Sequence, residues 1–150
     1  MAHPEKLASS EYLDIKNKLD ELGFNADNAV VIGSGVLNAL GIRPSNDIDA
    51  VTTELKYREL ASDGHLKKTI KRGQEILAND LFEIMTSWTV LGEAWNFERL
   101  FEDSILIGGV RYANVQFMLR VKRSWVANKD VRQKDLDDIK LMEAYLKQNQ

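Results

Sequence analysis

The sequence contains no cysteine and only two histidines, one of them at position 3. The missing thiols exclude disulfides, zinc–thiolate sites and cysteine nucleophiles, and they suit a reducing compartment. So few histidines also argue against a histidine-rich metal centre. The composition therefore favours the cytoplasm as the localisation.

Long apolar runs are absent as well. No stretch approaches the ~20 residues that a membrane-spanning helix needs, and the first ten residues lack the basic start and apolar segment of a signal peptide. We find no internal repeat, no low-complexity tract and no linker rich in Pro, Gly or Ser. We therefore expect a single domain over residues 1–150, with no membrane partner.

The charge balance is slightly acidic. A net charge of −3 argues against broad nucleic-acid binding as the main role, because domains with that role are usually basic. The hydrophobic and charged fractions, 44% and 29%, are those of an ordinary globular protein with a proper core.

Residues 29–53 are the most informative stretch of the chain. They predict a buried strand over residues 29–32, a tight turn at Gly33-Ser34-Gly35, a short helix, a polar loop, and a second strand that carries Asp47 and Asp49. Strand side chains alternate between faces, so the two carboxylates should point the same way. A glycine turn that opens a helix offers free backbone N–H groups to an anion. Together these features predict a site for a metal–nucleotide complex.

In the rest of the chain, some stretches space their apolar residues as helices do and others as strands do. Helices are predicted over residues 9–22, 54–61, 96–101 and 115–127, and a last helix is predicted to start after a capping box formed by Asp130 and Gln133. Strands are predicted over residues 67–72, 75–77, 81–86, 104–107 and 110–113, the first as a lysine-protected edge and the last two as a hairpin. Residues 88–92 are predicted to form a loop. The predicted helix caps include Ser9 or Ser10, Thr52 or Thr53, Asn114 and Asp130.

Two common motifs share letters with residues 29–53 but fit poorly. The dinucleotide fingerprint G-x-G-x-x-G finds Asn38 where its third glycine should stand, and Asp47 and Asp49 come too early for its acidic residue. The D-x-D of haloacid-dehalogenase-like phosphatases ends a buried apolar strand. Here a loop, Arg43-Pro44-Ser45-Asn46, precedes Asp47.

A third motif fits better. Ile32-Gly33-Ser34, twelve further residues and Asp47-Ile48-Asp49-Ala50 follow one another in order, with the lead-in Gly41-Ile42-Arg43-Pro44-Ser45 between them. Near the C-terminus come Lys122, Arg132, Lys134, Asp135 and Asp138-Ile139. This pattern resembles the minimal, single-domain members of the DNA polymerase β-like nucleotidyltransferase superfamily. The resemblance implies an α+β fold in which helices flank a small mixed β-sheet.

The resemblance also implies a reaction and its cofactor. Members move a nucleoside monophosphate from an NTP to an acceptor and use Mg²⁺ or Mn²⁺, held by carboxylates. Asp47 and Asp49 would be metal-binding catalytic residues. We expect the third carboxylate to be Glu83, because an acid inside the apolar strand L-F-E-I-M-T has little structural reason to be there. Asp80 and Glu75 stay open as alternatives.

Phosphate contacts follow from the same resemblance. Gly33 and Ser34 would bind the β- and γ-phosphates, and Arg43 and Lys122 would contact phosphate or substrate. The basic run over residues 120–134 fits either a solvated helix face or a positive wall beside the acids. Arg132, Lys134 and Asp135 could equally join two helices through salt bridges. The three tryptophans, Trp88, Trp95 and Trp125, fit the core, the cleft wall or base stacking.

The acceptor is left open by the sequence. A small molecule such as an antibiotic, a protein side chain and an RNA end are all compatible, and a homodimer could complete the cleft. The rival interpretation is a non-catalytic nucleotide-binding or toxin–antitoxin-type interaction module with the same fold. Retention of Gly33, Ser34, Asp47 and Asp49 favours the enzyme.

Overall fold

Two buried strands lie at the centre of the sheet. The computed structural model describes residues 11–127 and 131–149. In it, β1 (Ala29–Ile32) pairs antiparallel with β2 (Ile48–Thr52). Every residue of β1 is buried, as expected for an apolar strand covered on both faces. Helix α1 (Ile15–Glu21) precedes β1, and the six-residue helix α2 (Ser34–Ala39) follows it directly.

These two strands lie within a seven-stranded mixed sheet. Its other members are β3 (Lys67–Lys71), β4 (Gln74–Ala78), β5 (Phe82–Met85), β8 (Ile105–Ile107) and β9 (Val110–Tyr112). The order across the sheet is β3-β4-β5-β2-β1-β9-β8. The β2–β5 and β1–β9 pairs are parallel, and the remaining pairs are antiparallel. The predicted lysine-rich edge strand and the predicted hairpin at Gly108-Gly109 are confirmed.

Four more helices lie within the residues that the structure describes: α3 (Glu54–Asp63), α4 (Phe97–Glu102), α5 (Val115–Val126) and α6 (Gln133–Gln148). The side chains of Thr53, Asn96 and Asn114 each accept a hydrogen bond from a backbone N–H in the first turn of their helix. The caps predicted at Thr53 and Asn114 are thus confirmed. No helix within the described ranges combines the length and the apolar character needed to cross a membrane.

The loop predicted at residues 88–92 is wrong. Strands β6 (Ser87–Val90) and β7 (Glu93–Asn96) form a separate two-stranded hairpin there, with Trp88 opposite Trp95. Its turn is Leu91-Gly92, and both residues have positive φ, 57° and 74°. Leucine rarely adopts a positive φ and does not normally mark a turn. The hairpin therefore could not be recognised from the sequence of residues 87–96.

Two helix starts also differ from expectation. Helix α1 begins at Ile15 with Asp14 as its cap, and residues 12–14 are not helical, so the prediction of one continuous helix over residues 9–22 is wrong. At the start of α6, Arg132 is the cap residue and makes no side-chain capping bond. The predicted caps Ser9, Ser10 and Asp130 lie outside the described residues.

Gly35 lets α2 pack closely against β1. A β-carbon at this position would lie 2.6 Å from Cγ1 of Val31, far inside van der Waals contact. Val31 has no exposed surface and belongs to the core. Its methyl group therefore has no room to move away.

We predict that Gly35→Ala destabilises the protein by about 1–3 kcal/mol, the usual cost of overpacking a core. This outweighs the roughly 0.5–1 kcal/mol that alanine gains over glycine in a helix. Urea unfolding followed by circular dichroism measures the difference. In a Val31→Ala background the same substitution should cost clearly less, because the obstructing methyl group is gone. Equal costs in both backgrounds would contradict the packing argument.

Candidate active site

A cleft of about 910 Å³ opens at one end of the central strands of the sheet. The C-terminal end of β1 and the N-terminal ends of β2 and β5 meet there, because β1 runs antiparallel to β2 while β5 runs parallel to it. The cleft is lined by residues from the glycine turn, the sheet, α3, the β3–β4 turn, α5 and α6. Among them are Gly33, Ser34, Asp47, Asp49, Glu54, Tyr57, Lys71, Arg72, Glu75, Glu83, Trp88, Lys122, Trp125, Arg132 and Lys134.

The glycine turn brings backbone close to a carboxylate. Gly33 has φ +69°, which favours glycine, and a β-carbon there would lie 3.2 Å from Oδ2 of Asp49. The pairing of Ile32 with Asp49 explains this proximity, since Gly33 follows Ile32 directly. At the start of α2, the first backbone N–H groups have no partner within the helix. A ligand at this turn would thus meet backbone donors and a carboxylate together.

Asp47 and Asp49 both line the cleft, although only Asp49 belongs to the strand. The prediction that β2 carries both residues is wrong by one position, since β2 begins at Ile48 and Asp47 occupies the bend before it. The cause is the bond from the amide of Ile48 to the Leu81 carbonyl, which starts the pairing there. Asp47 is exposed, while Asp49 is partly buried.

The Asp49 carboxylate is poorly compensated. Its Oδ1 is buried and has no hydrogen-bond partner. Burial, followed by the charges of Glu83 and Asp47, raises the pKa of Asp49 to about 7, and the charges of Lys71 and Lys134 offset only part of this. A cation beside Asp49 would relieve the excess negative charge.

Glu83 stands directly beside Asp49 in the sheet. The two residues are paired in the parallel register of β2 and β5, so their side chains share a face. The ammonium of Lys71 donates to both carboxylate oxygens of Glu83 at 2.8 Å. Of the alternatives to Glu83, Glu75 accepts a 2.7 Å bond from the Tyr57 hydroxyl, and Asp80 is exposed and does not line the cleft.

A serine pair connects the glycine turn with Asp47. The hydroxyl of Ser45, which is buried, donates to the carbonyl of Asp47 at 2.8 Å and lies 2.6 Å from the hydroxyl of Ser34. Because Ser45 has only one proton, Ser34 must donate in that second bond. Asn38 also fixes the loop that carries Ser45, because its side-chain oxygen accepts a hydrogen bond from the amide of Ser45 at 3.1 Å.

Arg43 does not line the cleft. Its guanidinium binds Asp138 of α6 through two bonds of 2.6 and 2.8 Å, a bidentate pair that fixes the loop before Asp47 to α6. Lys122 does reach the cleft, but its buried ammonium pairs with Asp135 at 2.8 Å and with Asp138 at 3.1 Å. Arg132 binds Asp135 as well. The two Lys122 pairs join α5 to α6, whereas the Arg132–Asp135 pair lies within the first turn of α6. Lys134, the third residue of the predicted salt-bridged set, lines the cleft.

Part of the cleft lining is basic and aromatic. Arg132 and Lys134 contribute to it from the start of α6, and Trp88 and Trp125 stand edge to face with their ring centroids 6.2 Å apart. Trp95 packs on Phe117 and is not part of the lining. The same cleft therefore contains positive charge and aromatic rings together with the acids of the sheet.

The donor set suits a hard divalent cation. Within residues 11–127 and 131–149, no three acidic or histidine side chains already stand close enough to form a complete metal site. The chemistry nevertheless fits, because the cleft offers carboxylate oxygens and the Oδ1 of Asp49 has no other partner. Lys71 engages the second carboxylate, Glu83.

Three residues of the site were missed by sequence reasoning. Lys71 is one of several lysines on an edge strand, and only the fold of the β3–β4 hairpin brings it to Glu83. Ser45 was part of the quoted lead-in but had no assigned role, and Asn38 was noted only as a departure from the dinucleotide motif. All three act through contacts between distant parts of the chain or across a loop, which a local pattern does not reveal.

We predict that Asp138→Asn destabilises the protein by about 3–5 kcal/mol, the usual cost of breaking a buried ion pair. The substitution leaves Arg43 and Lys122 with one carboxylate fewer. Urea unfolding at pH 7 measures the loss. The control is Glu143→Gln, which breaks the Arg123–Glu143 pair between α5 and α6. Because both side chains are about half exposed, this substitution should change the free energy of unfolding by no more than about 1 kcal/mol.

The same network predicts an acid-dependent loss of stability. Burial would raise the pKa values of Asp135 and Asp138, but the bonds from Lys122, Arg132 and Arg43 outweigh it and lower both below 3.8. A carboxylate with a lowered pKa stabilises the fold above its unfolded pKa, and that contribution disappears as the pH falls through the folded value. Below about pH 4, wild type should therefore lose stability more steeply than Asp138→Asn. Parallel pH profiles would contradict this.

No protein-family model matches this chain, and no curated protein does. Two solved structures resemble its fold. The crystal structure of ANT(2")-Ia in complex with adenylyl-2"-tobramycin aligns with a TM-score of 0.57 and 14% identity, over 88% of this chain and 85% of that one. The solution structure of the antibiotic-resistance factor ANT(2'')-Ia aligns with a TM-score of 0.57 and 13% identity, over 88% and 80%. ANT(2")-Ia is a nucleotidyltransferase. The predicted fold class is confirmed: this chain has a nucleotidyltransferase-like α+β fold, a mixed sheet flanked by helices.

Proposed function

We propose that this protein is a nucleotidyltransferase that uses a divalent metal to move a nucleoside monophosphate from an NTP to an acceptor. The observation that carries the proposal is the meeting of the Gly33 turn with Asp49, whose Oδ1 lacks a partner, in one large cleft. The likeness to ANT(2")-Ia supports the same class of reaction.

The triphosphate would bind at the glycine turn. Gly33 has no side chain to block the approach of a phosphate, and α2, whose first amides lack partners within the helix, begins at the next residue. The Ser34 hydroxyl would exchange its bond to Ser45 for a phosphate oxygen. Ser45 would keep its own bond to the Asp47 carbonyl, so the loop would stay in place.

Asp47, Asp49 and Glu83 would hold Mg²⁺ or Mn²⁺. When bound, such a cation neutralises phosphate charge and stabilises the charge that develops on the leaving group. Asp49 supplies an oxygen that has no other partner, and Glu83 stands next to it in the sheet. Asp47 is exposed at the cleft and free of the strand, so its side chain has room to turn toward the ligand.

The transfer itself is a substitution at the α-phosphorus. The oxygen of an acceptor hydroxyl bonds to that phosphorus, the bond to the β-phosphate oxygen breaks, and pyrophosphate leaves while the hydroxyl gives its proton to a carboxylate or water. Arg132 and Lys134 would attract the triphosphate and offset the charge of the departing pyrophosphate. Lys122 and Arg43 would act less directly, by fixing α6 and the Asp47 loop.

Labelled substrates test the proposal. The protein is incubated with each of the four NTPs, α-³²P-labelled, together with Mg²⁺ and three acceptor pools: aminoglycosides, RNA oligonucleotides and a protein mixture. Aminoglycosides come first, because the ligand of ANT(2")-Ia joins an adenylyl group to an antibiotic. Label transfer with release of pyrophosphate supports the enzyme. Nucleotide binding without release in every pool would support the non-catalytic module instead.

We predict that Asp49→Asn lowers pyrophosphate release by at least roughly 100-fold, because even indirect partners of a metal ligand cost 10–100-fold. The fold should survive, since the substitution removes a buried charge that Glu83 and Asp47 oppose. The melting temperature should therefore stay equal or rise.

The control for this variant is Asp80→Asn. Asp80 is an exposed acid just before β5, the strand that pairs with the strand of Asp49. It does not line the cleft, so its loss should leave the rate unchanged. A normal rate in Asp49→Asn would contradict the proposed site. So would an equal loss of rate in both variants.

A further inference from the structure

We propose that Lys71 is a built-in counter-ion that holds Glu83 until a divalent cation replaces it, and that the released ammonium then contacts the triphosphate. This inference rests on the proposed function of the cleft. It assigns a role to a residue that lies outside the glycine turn and the acidic strands. Lys71 is the last residue of β3 and lines the cleft together with Glu83.

The contact geometry places Lys71 and a bidentate metal ion in competition for the same position on Glu83. The Nζ of Lys71 lies 2.8 Å from each of the two Glu83 carboxylate oxygens, so both are already engaged by one positive charge. Glu83 in turn neighbours Asp49 on the adjacent strand. The ammonium therefore occupies the position between the two Glu83 oxygens that a bidentate cation would take. Glu83 becomes a bidentate ligand only after Lys71 leaves it.

Lys71 is placed where it can leave. All five residues of β3 are exposed, and β3 is the outermost strand of the sheet. The Lys71 side chain is 49% exposed and that of Glu83 is 27% exposed, so solvent screens their pair and weakens it. The lysine side chain is a flexible four-carbon stem with a compact charge, which can swing without moving the backbone.

The turn beyond Lys71 is a tight two-residue hairpin turn between Lys71 and Gln74. Arg72 and Gly73 have φ values of 54° and 78°, the conformation of a tight two-residue hairpin turn, and both line the cleft. Strand pairing and this tight turn place the Lys71 backbone at the cleft, so its ammonium can change partner by side-chain rotation alone. The new partner is the triphosphate, which brings negative charge into the same cleft.

This exchange has a thermodynamic consequence. A free metal ion must displace Lys71 without any compensation for the displaced charge, so metal alone should bind weakly. A metal–nucleotide complex gives Lys71 a new partner and should bind more readily. Lys71 thus couples the binding of metal to the binding of nucleotide.

The test measures Mn²⁺ affinity without nucleotide, by electron paramagnetic resonance of free Mn²⁺, in wild type, Lys71→Gln and Lys68→Gln. Lys68 lies on the same exposed strand, does not line the cleft and serves as the matched control. Lys71→Gln should bind Mn²⁺ about fivefold more tightly, the size expected for one half-exposed ion pair. Its affinity for a non-hydrolysable NTP with Mg²⁺ should fall by a similar factor. Lys68→Gln should match wild type in both measurements.

Opposite shifts are the signature of the exchange, because a merely structural loss would weaken both affinities together. Equal Mn²⁺ affinity in wild type and Lys71→Gln would overturn the inference about Lys71 and leave the proposed transfer reaction standing. No Mn²⁺ binding in either protein would overturn both the inference and the proposed metal site. Tighter Mn²⁺ binding in Lys71→Gln would support the inference even where no labelled NTP is turned over.

Discussion

Asp49 and Glu83 lie side by side on two parallel strands, at the edge of the sheet where β1 also ends. Their register places two negative charges on one face, and burial denies Asp49 the solvent that would screen it. Like charges in this arrangement cost free energy unless a cation offsets them. The structure offsets part of the charge with the ammonium of Lys71, and one oxygen of Asp49 still lacks a partner. The charge balance of this pair is the constraint on which the interpretation of the cleft depends.

Several contacts hold the surrounding backbone in a shape that preserves the pair. Gly33 has the positive φ that lets the turn pass close to Asp49, and Gly35 lets α2 lie against β1. On the far side, Arg43 and Asp138 tie the loop before β2 to α6, which carries Lys134 into the cleft. Because α6 contributes both a buried ion-pair network and a cleft wall, disruption of the network should disturb the site through the loop. The stability of the fold and the shape of the site are therefore linked.

Much of this arrangement is predictable from the sequence where the signal is local. An apolar run ending in Gly33-Ser34 gives a strand and a turn, and the spacing to Asp49 gives the next strand. Glu83 could be picked out because a charge within an apolar strand needs a reason. The hairpin of β6 and β7 could not be predicted, because its turn relies on a leucine with positive φ. The contacts of Lys71 and Arg43 also escaped prediction, since each joins residues that are distant in the sequence and adjacent only in the folded chain. Sequence patterns show which groups are present, whereas the fold decides which group neutralises which.

The most direct test of the central claim is a crystal structure with a non-hydrolysable NTP and Mn²⁺, with the metal located by its anomalous scattering. The account predicts a Mn²⁺ peak between the carboxylates of Asp49 and Glu83, with the triphosphate against the Gly33 turn and Lys71 detached from Glu83. A metal–nucleotide complex bound elsewhere, with Lys71 still on Glu83, would contradict it.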